Sequence, residues 1–276
     1  MPKIVLPQKV IFTQTEDANH GQIVIEPCYP GYGITLGNGL RRALLSSLKG
    51  AAVVGVKIKG TSHEFTTLPQ VKEDVLEIIL NLKNLRLKFF AAENEVIKLE
   101  LKAQGEKKVS AKEITKNSQV EIINPQLHLA EITEANGSLE MEIFVACGYG
   151  YSPIEGREIP NKEVGYIEID SIFSPVRVVK VNVENVRVGQ MTDWDKLIIE
   201  VKTDGTISFR EAFKQAAEIL VEQFSFVLAE AKREVGEEDG AGAAPAEEEA
   251  VVVENAAEPK EKKHARKKDS KGKEAE

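Results

Sequence analysis

Cysteine is almost missing from this chain of 276 residues: Cys28 and Cys147 are the only two. They form no CxxC pair, which argues against a structural zinc site and fits a reducing compartment rather than a disulfide-stapled one. Histidine is scarce as well. His20, His63, His128 and His264 are scattered, with no i, i+4 pair of the kind that holds a metal on a helix. No apolar run reaches the roughly 18 residues needed to span a bilayer. The start, MPKIVLPQKVIF, lacks the unbroken apolar segment of a secretion signal, so the cytoplasm is the expected address. An excess of positive charge is missing too: a formal net charge of −8 gives no electrostatic reason for the whole molecule to coat nucleic acid. No serine lies in a GxSxG context and neither cysteine has a basic histidine beside it. The acidic pairs Asp193/Asp195 and Glu73/Asp74 are too sparse for a two-metal cluster, and Asp193/Asp195 reads as a surface hairpin. The chain shows no catalytic residue and no metal ligand set of its own.

What is present is enough apolar sequence, 42%, to bury a core in one large or two modest domains. The most informative stretch is PGYGITLGNGLRRALLSSLK, Pro30 to Lys49. Its four glycines permit turn geometry, Thr35 or Asn38 offers a helix cap, and a helix is expected over the glycine-free run Leu40 to Lys49. At about 100° per residue, Leu36, Leu40, Ala43, Leu44 and Leu48 share one side. Arg42 and Ser46 share the other, with Arg41 and Leu45 between. Arginine beside an outward leucine is a composition that protein interfaces favour. An ordinary solvated face and a phosphate-binding loop are the alternatives. GxxxxGK[ST] lacks its lysine here, and in GxGxxG Leu36 replaces the third glycine.

Along the rest of the chain, Lys9 to Glu26 reads as two strands joined by a turn around Asp17 to Gly21, and Ala51 to Lys59 as a third. A second helix is expected after a Thr67/Gln70 capping box, with Val71, Val75, Ile78, Ile79 and Leu82 as its stripe. From Leu85 to Tyr151, short β-rich runs alternate with turns. Gly148 to Lys162 reads as a long ordered loop, and strands resume in VGYIEID, SPVRVVKVNVENVRV and DWDKLIIEVK. Pro153 and Pro175 belong at loop or strand-edge positions. Ser208 and Glu211 then form a capping box for a long helix, FREAFKQAAEILVEQFSFVLAEAKR. Its apolar arc is far wider than the roughly 100° that a single core requires. A core with helices on both sides and a twofold homodimer both accommodate it. After Gly236 the chain is alanine, glycine and charge, acidic and then basic, and is expected to be disordered.

Three segments taken together, GYGITLGNGLRRALLSS, HEFTTLPQVKEDVLEIILNLK and IDSIFSPVRVVKVNVENVRVGQMTDWDKLIIEVKTDGTIS, resemble the bacterial RNA polymerase alpha-subunit family in order and spacing. The resemblance implies an α+β fold in two parts. A helix-on-sheet dimerisation domain (1–50 and 174–235) is interrupted by a β-rich insert domain (51–173), and a low-complexity tail (236–276) follows. It implies a homodimer, paired through the last helix at Phe209, Phe213, Leu220, Phe224 and Val227, that serves as the assembly platform for the beta and beta-prime subunits. Beta contacts fall on Arg41, Arg42 and Leu45, and beta-prime contacts on Lys83, Ile169 and Asp170. The chain itself is then non-catalytic and without cofactor, the catalytic magnesium belonging to beta-prime and sigma factor being reached only indirectly. Relatives usually carry a further C-terminal helical domain that binds promoter DNA. No counterpart is expected in the tail, which puts the contact with promoter DNA in doubt. A phosphate-binding enzyme and a homodimeric scaffold with other clients remain the alternatives.

Overall fold

The computed structural model describes residues 4–235, apart from 16, 18, 62, 93, 94 and 158–164. Strands β1 (Lys9–Gln14) and β2 (His20–Cys28) form the expected hairpin, Lys9 opposite Glu26 and Gln14 opposite Gly21. Helix α1 (Tyr32–Ser46) and strand β3 (Lys49–Ile58) follow, then α2 (Val75–Lys83). The β-rich middle contains β4 (Leu87–Phe89), β5 (Ile97–Gln104), β6 (Lys107–Ser110), β7 (Val120–Ile122), β8 (His128–Ile132) and β9 (Ser138–Tyr149). After it come the short strands β10 (Tyr151–Ser152), β11 (Tyr166–Glu168) and β12 (Ser171–Ile172). The long β13 (Val176–Val188) and β14 (Met191–Thr203) lead to α3 (Phe209–Val235).

Two larger sheets organise most of these elements, beside the two-stranded pairs β6-β8 and β10-β12. The first runs β1-β2-β14-β13, antiparallel throughout. One face is apolar by simple alternation: Ile23 and Ile25 on β2 and Leu197, Ile199 and Val201 on β14 are buried, with Ile23 directly opposite Ile199. Helix α1 covers this face with Leu40, Ala43 and Leu44, and the first turns of α3 complete the core with Phe209, Ala212 and Ala216. The second sheet runs β5-β9-β3-β4-β7, with β11 beside β3. Its core side carries Leu99 and Leu101 on β5 and Met141 and Ile143 on β9, and α2 lays Val75, Ile78, Ile79 and Leu82 against them. The other side of β3 is also covered, where Ala52 and Val54 pack with Phe173. That explains the near-continuous apolar run AAVVGV, since a strand buried on both faces has no polar side to alternate with.

Several elements differ from the sequence expectations. Helix α1 starts at Tyr32, eight residues before Leu40, so neither Thr35 nor Asn38 is its cap. Helix α2 starts at Val75 rather than after Thr67; Gln70 takes a left-handed φ of 69° next to Pro69, and Asp74 caps the helix by accepting from the Glu77 N–H at 2.7 Å. Strands β6 and β8 are two further short runs within the β-rich middle, paired with each other. The expected loop contains β10 and a single 3₁₀ turn, Ile154–Gly156, before its last residues pass outside the described ones. Pro153 and Pro175 do flank strands. Ser208 accepts from the Glu211 N–H at 3.2 Å, half of the anticipated capping box. The low-complexity tail, 236–276, lies outside the described residues.

Candidate subunit interfaces

The N-terminus of α1 is built by residues far apart in sequence. Gly31 adopts φ 83°, which turns the chain into the helix at low steric cost, and offers no side-chain cap of its own. Asp195 on β14 supplies one: a carboxylate oxygen accepts from the N–H of Gly31 at 2.9 Å and of Gly33 at 3.0 Å. Asp193 and Asp195 are therefore not a solvent-exposed pair: Asp195 is 8% exposed, against the start of α1, whereas Asp193 is exposed. Nor is the loop a phosphate cradle, since the amides at this helix end are already bound by an internal carboxylate. Burial foremost, and then the Asp195 charge, push the neighbouring Cys28 thiol above its ordinary pKa.

Gly33 and Gly37 let α1 lie directly on the sheet. A Cβ at Gly33 would stand 2.9 Å from Asp195, and one at Gly37 2.7 Å from Val181 and 2.9 Å from Leu197. With that side of the helix fixed, helical spacing points Arg42 away from the sheet and leaves Arg41 on the flank. Both are exposed, Leu45 is half-buried beside them, and the Ser46 hydroxyl closes the last turn by donating to the Arg42 carbonyl at 2.8 Å. This is the arrangement expected of a partner-facing ridge: two planar cations with some apolar surface on a rigid support.

Lys83 at the end of α2 pairs with Asp170 at 3.4 Å, each side chain about a third exposed, 32% and 31%. Asp170 also accepts from the Ile154 N–H at 3.0 Å. That bond does most to hold its carboxyl below the ordinary range; burial opposes it, and the Lys83 and Arg157 charges reinforce it. Ile169 requires a correction. It is 1% exposed, in the core of the second sheet, and its N–H donates to the Val54 carbonyl at 3.0 Å, so it supports Asp170 from beneath and presents no side chain to a partner. Arg157, which the sequence did not single out, clips this corner together. Its guanidinium donates to Ser152 Oγ at 2.8 Å and to the Ile169 carbonyl at 3.1 Å.

Helix α3 divides along its length. Phe209 is 2% exposed, its ring filling the space beside Gly21, so it belongs to the core of its own chain rather than to a surface. Phe213 is half-buried, edge-to-face with Phe12 at 5.7 Å, and Leu220 is half-buried near Gly39. Beyond them the helix stands clear of the sheet. Val221, Phe224, Phe226, Val227 and Leu228 are 57–70% exposed, apolar side chains left uncovered by the described residues.

No group of three or more His, Cys, Asp or Glu side chains among the described residues could hold a metal ion. Glu73 and His128, 2.8 Å apart, form a structural pair, with Glu73 also accepting from the Glu131 N–H. No helix among the described residues is long and apolar enough to cross a membrane.

A family model, the RNA polymerase Rpb3/RpoA insert domain, matches residues 56–174. The DNA-directed RNA polymerase subunit alpha of Desulforamulus reducens is 53% identical over 228 residues, 83% of this chain and 71% of that protein. The chain belongs to the DNA-directed RNA polymerase alpha-subunit family. The protein of the same name from Carboxydothermus hydrogenoformans is 51% identical over 227 residues, 82% of this chain and 72% of its own length. That of Syntrophomonas wolfei is 50% identical over 210 residues, 76% and 66% of the two chains. The Asp195 cap, the Arg41/Arg42 ridge and the exposed part of α3 are thus features of an alpha-family chain.

Proposed function

We propose that this chain is a non-catalytic subunit of DNA-directed RNA polymerase that homodimerises and acts as the assembly platform for the beta and beta-prime subunits. The complete enzyme, a nucleotidyltransferase, extends RNA from ribonucleoside triphosphates on a DNA template in the cytoplasm. In this reading residues 1–50 and 174–235 form the dimerisation domain and 51–173 the insert. Arg41, Arg42 and Leu45 face beta, Lys83 and Asp170 face beta-prime, and the catalytic magnesium sits in beta-prime.

The observation that carries the dimer is the uncovered half of α3. Burying a Phe, Val or Leu side chain completely is worth about 1.5–3 kcal/mol. Five such residues within two helical turns, from Val221 to Leu228, therefore favour a partner over water. A twofold axis offers the simplest partner, the same helix of a second copy. Once two copies pair, identical ridges can meet different large subunits, because loading one protomer with beta leaves the other for beta-prime.

Size-exclusion chromatography with light scattering, with and without purified beta, tests this directly. The expected result is twice the chain mass alone and a stable complex with beta. A single chain at high concentration that ignores beta would overturn the proposal.

A further inference from the structure

Arg86 follows Lys83 by three residues and reaches out of its own sheet. Its backbone is held at the β4–β7 edge: its N–H donates to Asn124 Oδ1 at 2.8 Å, and its carbonyl accepts from the Ile123 N–H at 2.9 Å. Its guanidinium ends 3.9 Å from Asp204, in the turn between β14 and α3, with side-chain exposures of 13% and 7%. Asp204 is equally constrained. Its N–H donates to the Pro175 carbonyl at 3.0 Å, and its second carboxylate oxygen accepts from the Thr206 N–H at 2.9 Å and hydroxyl at 2.6 Å. Gly205, at φ 95°, brings the same turn against Asn19 and Ile123.

A charge pair so withdrawn from water is a poor source of net stability, because desolvation offsets most of the attraction. Its distinguishing property is geometric. A seam of apolar side chains tolerates sliding, whereas two opposite charges at fixed backbone sites have one register, and separating them leaves both unpaired. Here the two sites are the exit of α2, which carries Lys83, and the entrance of α3.

We propose that the Arg86–Asp204 pair is an orientation latch, making Arg86 a positioning residue that sets the bearing of the Lys83–Asp170 corner relative to the dimer helix. The inference rests on the reading of α3 as the dimer helix and of that corner as the beta-prime contact. A correctly aimed corner lets beta-prime dock without first immobilising one sheet against the other, an ordering cost that would otherwise be taken from affinity.

The test uses the full chain with native cysteines replaced by serine and spin labels at Leu80→Cys and Lys214→Cys, diluted with excess unlabelled chain so that only intramolecular distances are read. Arg86→Met and Asp204→Asn should each broaden the distance distribution and weaken capture of purified beta-prime about tenfold, with the dimer mass unchanged. Arg86→Lys should restore most of both. Ile78→Val, a destabilising change in the core of the second sheet, should leave distribution and capture as in the parent. Unaltered distance and capture in Arg86→Met and Asp204→Asn would overturn the latch, as would an equal loss of capture in Ile78→Val. A parent that fails to dimerise or to bind beta-prime defeats the proposed function instead, while the distance distributions still decide whether the pair orients the two sheets.

Discussion

Asp195 binds the backbone N–H of Gly33 across 162 residues of sequence, at 3.0 Å, and through it β14 determines where α1 begins. Asp195→Ala removes the acceptor for two amides in a buried setting and should destabilise the protein by about 1–3 kcal/mol. Asp195→Asn, which keeps one oxygen acceptor, should cost less. Urea denaturation followed by circular dichroism measures both, and equal stability of Asp195→Ala and the parent would show that the cap contributes nothing.

Two glycines of the same helix should respond to alanine with opposite sign. At Gly37 the new methyl meets Val181 and Leu197 under 3 Å away, so overpacking of about 1–3 kcal/mol outweighs the gain in helix propensity. At Gly39 the nearest neighbour is Leu220 at 3.9 Å, and Gly39→Ala should stabilise by about 0.5–1 kcal/mol. Melting temperatures of the two variants should therefore bracket that of the parent; a shift in the same direction for both would refute the packing account of α1.

Phe224→Asp should abolish the homodimer with little change in secondary structure, because the side chain is 70% exposed in the single chain and would carry an unpaired charge into a paired interface. Phe213→Asp should damage the fold as well, since that ring packs on Phe12. Light scattering alongside circular dichroism separates the two outcomes. A Phe224→Asp dimer of parental affinity would remove this part of α3 from the interface.

Arg42→Ala should leave the dimer mass untouched and weaken capture of beta by about 2 kcal/mol or more, the size of an interface hot spot. Unchanged affinity in a titration with purified beta would count against the ridge on α1.

Asp170 makes the corner acid-sensitive in a defined direction. Its carboxyl is held below the ordinary aspartate value of about 3.9. Its contribution to stability is therefore fully present above that ordinary value and lost as pH falls through the depressed one. The Ile154 amide resonance, followed by NMR, should stay constant through neutral pH and move only in the acid range below about 4. Movement at or above the ordinary value would contradict the assignment.

Much of the strand pattern was legible because a half-buried sheet writes a period of two into the sequence. Leu99 and Leu101 with polar neighbours could hardly be read otherwise. Helix α3 was legible for the same reason at a period of 3.6, but its division was not. Phe209 and Phe224 lie on one apolar band and only the position of the first sheet tells which is covered. The start of α1 was hidden because Gly33 and Gly37 look like helix breakers, and what retains them is the distance to β13 and β14, which no local pattern encodes. Asp195, Arg157 and Arg86 escaped for a related cause, since each acts on backbone or charge brought close only by folding. Ile169 was misplaced because it adjoins Asp170 in the link between β11 and β12, where only the packing of the second sheet shows that its side chain is buried.

Close seating of α1 also bears on how strain would travel. A helix whose glycines press directly on the Val181, Val183 and Leu197 side chains has little room to roll or slide to absorb a change beneath it. A bulkier or smaller residue at the half-buried Val181 or the buried Leu197 would be felt at Arg41 and Arg42 as a tilt of the whole rod. In the proposed assembly, variants that weaken capture of beta should therefore arise beneath α1 as well as on its exposed side.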